Sequence, residues 1–64
     1  MTKKELKRMA KELARLEYIV KTTEDSEAKY RAEQEIMILT NKVEELEDMV
    51  ALDEMVMTLL EQKS

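Results

Sequence analysis

The side chains able to do chemistry in this sequence are almost all carboxylates. Glu44, Glu45, Glu47 and Asp48 fall within five positions, and Asp53 and Glu54 follow about a turn later. Carboxylates can act as general acids and bases or as oxygen ligands for Mg²⁺ or Ca²⁺. Acid–base work needs an environment that pushes two pKa values apart, and a divalent ion needs several oxygens converging on one point. Glu44 and Asp48, at i and i+4 on a helix, share a face that should be solvated rather than enclosed. The residues that would complete a site are missing, since the chain has no His, no Cys and no Gly. That excludes the usual zinc sites, the His- or Cys-based nucleophile arrangements, the glycine-rich phosphate loops and the Gly-x-Ser-x-Gly elbow. The expectation is a protein that is not an enzyme and has no metal and no cofactor.

What must position these groups is helix. The chain lacks Gly, Pro, Phe and Trp, and 41% of its residues are charged. With Ala, Leu, Glu, Lys, Met and Arg dominant, this composition is typical of long helices and coiled coils, and an all-α fold follows. Thr2 with Glu5 forms a capping box that opens a first helix. Leu6, Met9, Leu13, Leu16 and Val20 continue it at a/d heptad spacing. The stretch Lys-Thr-Thr-Glu-Asp-Ser at 21–26 is rich in residues that prefer caps and turns to helix interiors, and it offers the one plausible break.

The expected architecture is therefore an antiparallel two-helix hairpin in a single domain over 1–64, with a short helix 1 at about 2–21, a turn at about 22–26 and a long helix 2 at about 27–62. With facing numbers summing to about 48 or 49, Leu6 meets Val43, Met9 meets Leu39, Leu13 meets Ile36 and Leu16 meets Ala32. Helix 2 carries two apolar lines rotated by roughly a third of a turn from one another. The earlier one, Ala32, Ile36, Leu39, Val43, Leu46 and Val50, faces helix 1; Asp53 falls at the next seam position in that phase. The later one comprises Met49, Leu52, Val56 and Leu59, flanked by Met55 and Leu60. At 1.5 Å per residue, roughly 24 Å of helix 2 overhangs helix 1. Six large apolar side chains on that overhang represent ~9–18 kcal/mol of gross burial, too much to leave wet in a domain this small. The expected solution is a second copy, giving a dimeric four-helix or coiled-coil bundle, with Met49, Leu52, Met55, Val56, Leu59 and Leu60 as the oligomer or partner interface. A third helix folding back after about Asp48 is the competing solution, for which Glu44–Glu54 offers no Gly, Pro or Asn to turn on.

Charge separates along the chain. Residues 1 to 22 hold seven Lys or Arg and three Glu, net +4, and the remaining 42 hold four basic and twelve acidic groups, net −8. The functional expectation is a non-enzymatic protein–protein interaction module, a small adaptor, assembly factor or inhibitor, that self-associates through the C-terminal part of helix 2. Glu44, Glu45, Glu47, Asp48, Asp53 and Glu54 form a candidate acidic partner surface, a phosphate-like ladder suited to a basic groove. The alternative uses Lys4, Lys7, Arg8, Lys11 and Arg15 of helix 1 to bind nucleic acid through phosphate. In its length, its Met-Thr-Lys-Lys-Glu opening and its hairpin-dimer logic, the chain resembles the Rop family of plasmid RNA-binding four-helix bundles. That resemblance implies RNA binding but transfers no binding residues: the turn comes earlier here and the family's Phe has no counterpart. No run approaches the ~18 apolar residues of a membrane span, and the N-terminus lacks the apolar core of a secretory signal, so the expected location is cytoplasmic with no membrane partner.

Overall fold

The computed structural model describes residues 1–63. It is all helical, with three helices: α1 at Lys3–Thr22, α2 at Ser26–Asn41 and α3 at Leu46–Lys63. Helix α1 starts where the Thr2 side chain accepts a hydrogen bond from the Glu5 amide at 3.2 Å, while the Thr2 hydroxyl donates to the Glu5 carboxylate. It ends at Thr23, whose amide closes the last turn on the Ile19 carbonyl. The Thr23 hydroxyl then accepts from the Asp25 amide, and the Asp25 carboxylate accepts from the Glu27 amide to cap α2. The short polar residues of this turn thus satisfy amides that neither helix could.

The second break overturns the long second helix. Helix α2 stops at Asn41 and α3 begins at Leu46, so Lys42 to Glu45 form a non-helical link. The Thr40 hydroxyl donates back to the Ile36 and Met37 carbonyls, a habit that weakens and bends helices. The amides of Lys42 and Val43 then bond the carbonyls of Leu39 and Thr40, three residues back, which tightens the final turn. Val43 is buried and anchors the link in the core.

Magnitudes explain why the chain bends there. Interrupting a helix forfeits about four backbone hydrogen bonds worth ~1 kcal/mol each. Folding back buries Leu52 and Val56 fully and Met49, Met55, Leu59 and Leu60 in part, worth ~6–12 kcal/mol in gross transfer terms. The apolar side chains of the expected overhang therefore pack against α1 of the same chain.

Helix α1 is the centre of the arrangement, since it packs extensively against both α2 and α3 while α2 and α3 barely touch. Its amphipathic pattern allows this because it buries two adjoining arcs. Leu6, Ala10, Leu13 and Ala14 are buried in one cluster with Val43, Leu52 and Val56, against which Met9, Ile36, Leu39 and Met49 pack. The start of α3 lies beside the start of α1, where the Met1 ammonium stands 3.5 Å from the Asp48 carboxylate. Helix α3 therefore runs alongside α1 in the same direction.

Candidate interaction surface

Two of the six expected interface residues, Leu52 and Val56, lie in the core; Leu52 is 0% exposed. Met49, Met55, Leu59 and Leu60 are half-buried around them. In this structure the line packs against α1 of the same chain.

What α3 leaves exposed is the other apolar line. Leu46, Val50, Asp53 and Met57, with the half-buried Leu60 at the end, follow one another at alternating steps of four and three residues. Leu46 is 79% exposed, Val50 51% and Met57 62%. At 100° per residue this line sits about 110° around the helix from Leu52 and Val56, so it cannot reach α1. Helix α2 likewise turns Tyr30, Met37 and Ile38 outward, on the side away from its buried Ala32. Sequence reasoning had Leu46, Val50 and Asp53 in one phase but did not carry it on to Met57 and Leu60. Because that phase was assigned to helix 1, its exposure was missed.

The candidate acidic surface divides. Glu44 and Glu45 lie in the link, while Glu47 and Asp48 occupy the first turn of α3, where the positive end of the helix dipole favours them. Glu44 and Asp48 are thus not successive rungs of one helix, and the regular phosphate-like ladder is not formed. Among the described residues, no three Asp or Glu side chains gather closely enough to hold a metal ion.

The basic residues of α1 do share a surface. Lys4, Lys7, Lys11 and Arg15 repeat at three and four residues, with Arg8 alongside, and all five are exposed. Arg15 is engaged by the Glu12 carboxylate, whose hydrogen bond and charge raise the guanidinium's pKa, while Arg15 in turn holds the Glu12 carboxyl below its ordinary range. Beside this stripe, Lys7, Ala10 and Lys11 of α1 and Ala51, Glu54, Met55, Thr58 and Leu59 of α3 line an open groove of about 500 Å³. Ala10 and Ala51, with Met55 and Leu59, give it an apolar lining. Among the described residues, no helix is long and apolar enough to cross a membrane.

Comparison with protein-family models, with curated proteins and with solved structures found no match.

Proposed function

We propose that the protein is a non-enzymatic interaction module that docks a helix of another macromolecule on the exposed line of α3. One observation carries this reading: Leu46, Val50, Asp53 and Met57 keep coiled-coil spacing on the exposed side of α3, outside the chain's own core, and the half-buried Leu60, which also packs on that core, continues the line. Scattered apolar side chains on a surface are ordinary, but a heptad line of large ones is a helix-docking pattern.

The basic stripe of α1 supports a second reading, in which the module binds nucleic acid through Lys4, Lys7, Arg8 and Lys11. Its observation is the one-sided exposure of these cations, none of which has an ion-pair partner among the described residues. Affinity capture from source cells separates the two. In the first reading, recovery of the partner survives nuclease, is lost on Val50→Asp with Met57→Asp, and persists when Lys4, Lys7 and Lys11 become Gln. The reverse pattern, nuclease-sensitive recovery lost with the lysines, would establish the second.

A further inference from the structure

Written as a heptad, the exposed line of α3 places Leu46, Asp53 and Leu60 at d and Val50 and Met57 at a. The e positions beside it are then Glu47, Glu54 and Glu61, all acidic and all exposed. The g positions, Met49 and Val56, are turned to the chain's own core. Asp53 stands in the middle of the apolar line, exposed and without an ion pair among the described residues. From residue 26 to residue 63 the chain holds ten acidic and four basic groups, net −6, while the cations of the N-terminal part line α1.

Resting on the interaction-module reading above, we propose that this line docks a basic amphipathic helix of a different protein. That helix would carry Lys or Arg opposite Asp53 and along the edge that meets Glu47 and Glu54. The argument comes from what each pairing does with the charges. If a second copy packed in parallel, d would face d, and Asp53 would meet the other copy's Asp53. Like carboxylates brought together in a seam resist joint ionisation. If it packed antiparallel, a would face d, and Asp53 would be pressed against Val50 or Met57 of the other copy, a charge taken from water without a partner. The e edges would then also face each other and set Glu47 and Glu54 against the same row. No register that pairs α3 with α3 of a second copy sets a cation against Asp53 in the seam, and the antiparallel one adds the clash of the e edges. A cation at the facing heptad position relieves the first, and cations on the facing edge relieve the second, which is how edge charges choose partners in coiled coils. The same acidic row repels phosphate, so neither nucleic acid nor an anionic membrane fits this face.

The test uses the full chain and synthetic helices of three heptads with Leu at a and d. One peptide has a central Lys in the seam with Lys at e and g; a second replaces every Lys by Glu. Calorimetric titration at neutral pH is paired with light scattering of the protein alone. The protein is expected to be monomeric and to bind the Lys peptide about a hundredfold more tightly than the Glu peptide. Glu47→Lys with Glu54→Lys should weaken the Lys peptide about tenfold, through loss and reversal of edge pairs. Val50→Asp with Met57→Asp should abolish binding while the circular dichroism stays that of the parent. Asp53→Leu, which removes the like charge from the parallel seam, where the e edges do not meet, should turn the protein into a dimer.

If the unmodified protein is already a dimer at neutral pH and Val50→Asp with Met57→Asp dissolves it, a second copy is the occupant. That result overturns the inference and leaves the interaction-module reading standing. If neither peptide binds and Asp53→Leu stays monomeric, the line is not a docking surface, and both fall.

Discussion

Replacing Leu52 by Ala tests whether α3 folds onto α1. Leu52 is 0% exposed and sits in the cluster that joins Leu6, Ala10 and Leu13 of α1 to Val56 of α3. Truncating a fully buried leucine removes its transfer energy and leaves a void, and measured losses run to ~2–5 kcal/mol. The site lies between two helices in a thin core with room to relax, so ~3 kcal/mol is the appropriate figure. A domain of this size holds only ~3–5 kcal/mol in total. For 60–100 residues each kcal/mol moves Tm by about 4–8 °C, so Leu52→Ala should lower Tm by ~12–24 °C and leave a large unfolded fraction at room temperature. Val50→Ala, two residues earlier at 51% exposure, is the control and should change stability by no more than ~0.5 kcal/mol. The assay is thermal melting followed by circular dichroism over a hundredfold range of protein concentration, since a monomer melts independently of concentration and a dimer does not. If Leu52→Ala melted with the parent while Val50→Ala melted early, α3 would be using its other face, and the fold-back would be refuted. A Tm that rose steeply with concentration would show association, and its loss or survival in Val50→Asp with Met57→Asp would tell a dimer on the outward line from the hairpin dimer.

Three further outcomes follow from the Thr2 cap, the second break and the Glu12–Arg15 pair. Thr2→Ala removes the side-chain acceptor that satisfies the Glu5 amide and should cost ~1 kcal/mol, seen as a Tm lower by ~4–8 °C. Thr40→Ala with Asn41→Ala raises helix propensity at the end of α2 by ~1.4 kcal/mol at most, well below the ~6–12 kcal/mol of burial that bends the chain. The double variant should therefore keep the 7.6 kDa monomer mass by light scattering, and a mass near twice that would show that the polar link rather than the buried side chains enforces the turn. Arg15 lowers the folded-state pKa of Glu12, so the stability that this carboxylate contributes is present above the ordinary carboxylate range and is lost as pH falls through its lowered value. Both side chains are about half exposed, so the stability effect is small, but carboxyl NMR titration should show Arg15→Gln returning Glu12 toward its ordinary value.

The all-helical class was legible because nothing in the composition competes with helix, and the first helix was legible because Thr2 and Glu5 announce its start. The second break was not. No glycine or proline enforces it, and its polar signal, Thr40 and Asn41, lies just upstream of the Glu44–Glu54 stretch in which a turn was sought. A threonine hydroxyl that bonds back to the preceding turn is compatible with a continuing helix as well as with an ending one. What tips the balance is tertiary: whether Leu52 and Val56 have somewhere to go. A local pattern contains no information about that, because Ala10 and Ala14, whose small side chains let α3 approach α1, stand some forty residues earlier.

The two apolar lines of α3 carry the argument from fold to function. A helix that must cover one neighbour needs one line, and a second line a third of a turn away has no use in that task. Had the second line been core as well, it should have been uniformly apolar and its flank free of like charge. Instead Asp53 interrupts it, and Glu47 and Glu54 border it. A carboxylate inside an apolar seam weakens every partner that cannot answer its charge, and its effect is largest on the partner always present at equal concentration, another copy of the same chain. The inward line packs on α1 through Leu52 and Val56 with the half-buried Met49, Met55 and Leu59. The outward line, apolar at Val50 and Met57 and acidic at Asp53 with Glu47 and Glu54 beside it, carries the charge pattern on which the proposed choice of partner rests.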